Sequence, residues 1–119
     1  MAAKVTYLFP TPVIIDELAN ADDLNRDLEQ IILDQRGQDA GLQLSNRGSW
    51  QSRRNFPQWA GDAGRRVVEH AKTLATANTG HRLGPDALNW TVDVWANVSG
   101  SIGFNMPHIH GGTYWSAVY

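Results

Sequence analysis

Asn105-Met106-Pro107-His108-Ile109-His110-Gly111-Gly112-Thr113-Tyr114-Trp115-Ser116-Ala117-Val118-Tyr119 is the stretch on which the reading of this chain turns. His108 and His110 stand two residues apart. Alternate side chains of an extended segment point to one side, so a strand here aims both imidazoles into one pocket. Neutral imidazole is the commonest protein ligand for a transition metal, and two from one strand supply adjacent corners of a coordination sphere. Gly111-Gly112 makes a turn, and the aromatic and β-branched run after it predicts another strand. Histidines at this spacing also occur on plain surface strands and in structural zinc sites. Spacing alone therefore leaves metal ligation and a bland surface pair both open.

Working back from the histidines, Leu88 to Val98 has the alternation of a strand. Trp90, Val92, Val94, Ala96 and Val98 fall on one face; Asn89, Thr91, Asp93, Trp95 and Asn97 fall on the other. The simple interpretation is one face on the core and one in solvent. Trp95 on the polar face favours a cavity there, because an indole is costly to leave in water. Ser99-Gly100-Ser101-Ile102-Gly103 reads as a flexible connection to the histidine segment.

The first part of the chain reads as scaffold. Val5, Tyr7 and Phe9 alternate as a first strand, Pro10-Thr11-Pro12 interrupts it, and Val13-Ile14-Ile15 resumes it. Asn20 followed by Asp23 predicts a helix start of capping-box type. Leu24, Leu28, Ile31 and Ile32 then line one helical face, ending near Arg36-Gly37. Residues 38–48 read as a loop leading to Ser49-Trp50-Gln51-Ser52, with Trp50 a buried anchor and the serines in turns. Asn55-Phe56-Pro57 opens a second helix. Its apolar stripe is Trp59, Ala63, Val67, Ala71 and Leu74, and Asn78-Thr79-Gly80 ends it. His70, beside the stripe among charged neighbours, reads as solvated. His81 and Arg82 are placed in the following loop, with a turn at Gly84-Pro85-Asp86.

Composition narrows the functional classes. At 119 residues the chain is one domain with a modest core. Ten Lys and Arg against twelve Asp and Glu give a net charge of −2, which provides no electrostatic case for nucleic acid or an anionic membrane. Arg53-Arg54 and Arg65-Arg66 read as solvated surface charge, with anion binding the alternative role for such pairs. The absence of cysteine excludes disulfides and thiolate sites, so a metal must be held by nitrogen and oxygen, as iron, manganese or zinc can be. No apolar run approaches the ~20 residues of a membrane span. Met1-Ala2-Ala3-Lys4 lacks the features of a signal peptide, and the expected location is cytoplasmic.

Trp95-Ala96-Asn97-Val98-Ser99-Gly100, Asn105, His108, His110 and Ser116-Ala117-Val118-Tyr119, with Ser45-Asn46-Arg47-Gly48-Ser49-Trp50-Gln51-Ser52 upstream, resemble the 2-oxoglutarate/Fe(II)-dependent oxygenases of the double-stranded β-helix type. The resemblance runs from Phe9 to Tyr119 and corresponds to the N-terminal portion of the family domain. It implies an α+β fold, two N-terminal helices packed on an incomplete jelly-roll or cupin-like β-helix. Residues 1–119 would form a single domain, with strands and helical support over 1–87 and the first core strands with the metal motif over 88–119. It implies a dioxygenase that uses Fe(II) and 2-oxoglutarate to hydroxylate a small-molecule or peptide substrate. His108 matches the first histidine of the family's His-x-Asp/Glu motif. His110 occupies the acidic position, either as a ligand or as a hydrogen-bonding neighbour of one. Asn97, Asn105 and Tyr119 are the cofactor-binding candidates, each with an equally simple local role. The family's distal histidine and its basic partner for 2-oxoglutarate lie beyond the position of Tyr119. Hence a longer domain, a homo-oligomer or a completing chain is expected to finish the barrel. Two other classes stay open: a non-catalytic cupin-like metal or small-ligand module, and a remnant that folds only with a partner.

Overall fold

A computed structural model describes residues 9–84 and 88–119, with 80–83 described by their backbone alone. The first helix, α1, spans Ala21–Gln38. A strand, β1 (Asn46–Gln51), follows, then a single-turn helix α2 (Phe56–Trp59), a long helix α3 (Gly61–Leu83) and a second strand β2 (Asn97–Asn105). The class is α+β, with three helices and a two-stranded antiparallel sheet among the described residues. That is fewer strands than a jelly roll contains, and residues 106–119 form none of them.

Helix α1 buries Leu24 and Leu28, two of the four residues expected on its apolar face. Its start departs from the expected capping box. Asn20 adopts a left-handed conformation (φ 54°) and makes no side-chain hydrogen bond to the helix. Asp22 and Asp23 in the first turn and Arg36 in the last oppose the helix dipole with charges of the favourable sign. Phe9, Val13 and Ile15 are exposed and lie in no strand; Val5 and Tyr7 are outside the described residues. The segment before α1 instead lies along α3. Arg66 donates to the Ala19 carbonyl at 2.9 Å, and His70 Nε2 stands 3.0 Å from Asp16 Oδ2. His70 is thus paired and partly buried rather than solvated.

The residues read as loop and turn, 46–51, form β1. Asn46 is fully buried and organises this corner. Its Nδ2 donates to the carbonyls of Leu42 (3.1 Å) and Ser49 (2.8 Å), while its Oδ1 accepts from Leu44 N (2.8 Å). A single side-chain amide thereby satisfies three backbone groups of a tight bend. Trp50 is the anchor expected of it, with its indole donating to Asp39 O at 2.8 Å. Gly41, at φ +72°, is required beneath that ring, because a Cβ there would lie 2.6 Å from Trp50 Nε1.

The predicted second helix is two helices. Asn55 and Pro57 stand at its start, but the chain breaks after α2 and Gly61, at φ +57°, restarts it as α3. The stop expected at Asn78-Thr79-Gly80 does not operate, and the backbone of His81 and Arg82 is helical. Of the predicted turn, Pro85 and Asp86 fall outside the described residues. Leu24, Leu28, Trp50, Phe56, Ala60 and Ala96 form one core between α1, β1 and the α2–α3 junction.

Strand β2 starts later than the alternation predicts. Residues 88–96 carry no ladder, and only Ala96 is tied to the sheet region, exchanging hydrogen bonds with Ser52 at 2.9 and 3.0 Å. Their alternation still sets burial: Trp90, Val94, Ala96 and Val98 are more covered than Asn89, Thr91, Asp93 and Asn97. In the sheet, Trp50 pairs with Val98 and Asn46 with Asn105. Between the pairs Arg47–Phe104 and Ser49–Ser99, Gly48 alone faces residues 100–103, so the expected flexible connection is a bulge inside β2. The Cα radius of gyration is 17.5 Å, against about 13 Å for a compact domain of this length. Much apolar surface beyond the core is correspondingly exposed.

Candidate functional site

Three segments converge where the histidines lie. The first is the turn after β1, carrying Arg54; the second is the approach to β2, carrying Asp93 and Trp95; the third is the chain after β2, carrying His108 and His110. Met106 N donates to Ser45 O at 2.8 Å, which fixes the exit from β2. The turn at Gly111-Gly112 forms as expected, with Gly112 at φ +78° and Thr113 N donating to His110 O at 3.2 Å. Beyond it the chain is not a strand. Trp115 donates to Thr79 Oγ1 at 2.8 Å, and Trp90 donates to Thr76 Oγ1 at 2.8 Å. These two indoles fasten the last segment and the residues before β2 to the same face of α3.

The imidazoles of His108 and His110 lie against each other, although no strand holds them. Their ring centres are 4.8 Å apart, with the planes at 67°. Two imidazoles on one ion, with metal–nitrogen bonds of about 2.1 Å, place their ring centres roughly 4.5–5.2 Å apart for right-angled to tetrahedral geometry. The observed spacing falls inside that window, and it is equally that of an edge-to-face aromatic pair. His108 Nδ1 lies 2.8 Å from Met106 O. A carbonyl oxygen can only accept, so Nδ1 is the donor in this contact; in the neutral ring that leaves the lone pair on Nε2, the tautomer a metal ligand needs. Both residues are solvent-exposed. No group of three His, Cys, Asp or Glu is gathered for a metal among the described residues. The pair offers an ion two nitrogens at most, and no third protein ligand stands with them among the described residues.

Trp95 is the hub of the surroundings. His110 stacks on it at 5.8 Å between centroids with 27° between planes, and the Arg54 guanidinium carbon sits 5.5 Å from the indole centre. Arg54 also reaches Asp93 Oδ2 at 3.0 Å. In place of the cavity expected on its face, Trp95 meets a cation and an imidazole at an open surface. The contact of Arg54 with Trp95 and Asp93 is what sequence reasoning missed. The link to Asp93 spans 39 positions, and no local pattern signals such a contact.

The cofactor-binding candidates do not join the pair. Asn97 is exposed opposite Gln51, and Asn105 is exposed opposite Asn46, both as strand residues of the sheet. Tyr119 donates its hydroxyl to Asn25 Oδ1 at 2.6 Å, on α1, so its phenol serves the docking of the last segment. A groove of about 540 Å³ lies elsewhere, lined by Arg36, Asp39, Gln43, Ser49 and Trp50 among others. No helix among the described residues is long and apolar enough to cross a membrane. Comparison with family models, with curated proteins and with solved structures finds no match for this chain.

Proposed function

We propose that this chain carries the metal-binding part of an Fe(II)- and 2-oxoglutarate-dependent dioxygenase, with His108 and His110 as ligands. The observation that supports the reading is the closeness of the pair: two rings whose centres are 4.8 Å apart, one with Nδ1 engaged by Met106 O so that its neutral form would offer Nε2. Iron, when bound, would supply the activation of dioxygen that no side chain can perform. The protein's own work is to present Nε2 of His108, to hold His110 in place against Trp95, and to keep neighbouring positions open for a chelating 2-oxo acid. The exposed rings and the two-residue donor set among the described residues also favour a second reading, a metal-binding module without catalysis.

Anaerobic titration with Fe(II) and then 2-oxoglutarate separates the two. The dioxygenase reading expects the weak visible charge-transfer band of a chelate; tight zinc binding without that band supports the module. His108→Ala is expected to weaken metal binding at least about 100-fold, with an unchanged far-ultraviolet circular dichroism spectrum. Unaltered iron affinity in that variant removes His108 from the site.

A further inference from the structure

We propose that the groove between the end of α1 and the sheet is a separate binding site, for a small organic monocarboxylate whose charge is held by Arg36 and the Ser49 hydroxyl. The groove has a volume of about 540 Å³, within the range of roughly 300–1,000 Å³ usual for small-molecule sites. Neither His108, His110 nor Trp95 lines it. Two donors there are uncommitted. Ser49 Oγ is the one buried side-chain polar atom among the described residues with no hydrogen-bond partner. Such a group carries an unrecovered desolvation cost, which a ligand that accepts its proton removes. Ser49 as a residue keeps some exposure, so a rotation about its Cα–Cβ bond brings the hydroxyl toward the groove. Arg36, in the last turn of α1, is exposed and enters no ion pair among the described residues. A guanidinium has only donors, so what answers both groups is an acceptor bearing negative charge. The surroundings limit that charge to one. Asp39 also lines the groove, with Oδ1 accepting from Gly41 N at 2.8 Å and Oδ2 from Arg53 Nε at 3.2 Å. Both its oxygens are thus engaged, which leaves Arg36 to the ligand. Its carboxylate and the negative end of the α1 dipole still oppose a dianion such as a phosphate ester. Ala40, Val98 and the edge of the Trp50 indole supply apolar wall for the organic body.

Benzoate, benzamide and phenyl phosphate are the probes, followed through the Trp50 indole N–H and Ser49 amide resonances of the full chain without metal. Benzoate is expected to shift both resonances saturably at millimolar concentration, with benzamide and phenyl phosphate at least about tenfold weaker. Arg36→Met is expected to weaken benzoate roughly tenfold to hundredfold, down to the level of benzamide. Ser49→Ala is expected to weaken benzoate as well, and to raise the thermal midpoint of the unliganded protein, because it removes a buried hydroxyl that has no partner. No saturable shift, benzamide equal to benzoate, or unaltered benzoate binding in Arg36→Met overturns the site. Tighter binding of phenyl phosphate than of benzoate overturns the monocarboxylate assignment. A lowered midpoint in Ser49→Ala means that the hydroxyl serves the fold, and removes Ser49 from the site. None of these readings depends on iron, so the groove and the dioxygenase stand or fall separately.

Discussion

Two tryptophans mark two different halves of this molecule. Trp50 lies in a core closed by Leu24, Leu28, Phe56 and Ala60, and its indole N–H is spent on a backbone carbonyl. Trp95 lies under an arginine and a histidine at an open surface, beside a run that leaves Ile102, Phe104, Ile109 and Val118 in solvent. The first half is held by buried area. Past β2 the chain is held by single tethers: Met106 to Ser45, Trp115 to Thr79, Tyr119 to Asn25. Buried apolar contact contributes far more per residue than an exposed hydrogen bond, so stability resides in the first half and the candidate chemistry in the second.

The contrast is broken most directly at Phe56. Its ring meets Trp59 edge-on at 4.9 Å and is only 5% exposed. Phe56→Ala is expected to destabilise the fold by about 3–5 kcal/mol, read as a fall in the denaturant midpoint. A loss below about 1 kcal/mol would mean that the core does not depend on its largest helical side chain.

Asn46→Ala is expected to come next. Removing the amide leaves the Leu42 and Ser49 carbonyls and the Leu44 N–H without their partner. Stranding buried polar groups costs about 2–3 kcal/mol here, with the 42–49 bend losing hydrogen-exchange protection first. Uniform loss of protection across α1 and α3 instead would make the bend inseparable from the core and sharpen its claim to be the fold's corner.

The sequence shows the first half better than the second, and the reason is range. The helical period of α1 is local, so Leu24 and Leu28 are found by counting. The alternation through residues 90–98 likewise gives the covered side, but pairing requires a partner strand distant in the chain, and the ladder begins only at Asn97. Strand β1 is concealed by its polar, glycine-bearing composition; it forms because Asn46 folds the bend and β2 supplies the ladder. The stop at Thr79 is overridden by tertiary contact, since that residue is 2% exposed within α3 and its hydroxyl accepts the Trp115 indole N–H. At the site, the His108–His110 spacing is legible because it is two residues long. Arg54 is not, because its meeting with Asp93 and Trp95 is made by the fold alone.

The smallest effect is expected at Phe104, whose side chain is 56% exposed on β2, a strand whose one ladder partner among the described residues is β1. Phe104→Ser removes little buried area, so its stability change should lie within about 0.5 kcal/mol. Loss of an exposed aromatic group should also reduce self-association, measured by sedimentation across a concentration series. A destabilisation on the scale of Phe56→Ala would contradict the division drawn between the halves. It would mean that Phe104 is packed in solution. If the loss then depended on protein concentration, the packing surface would be a second copy of the chain, joined along the edge that β2 leaves open.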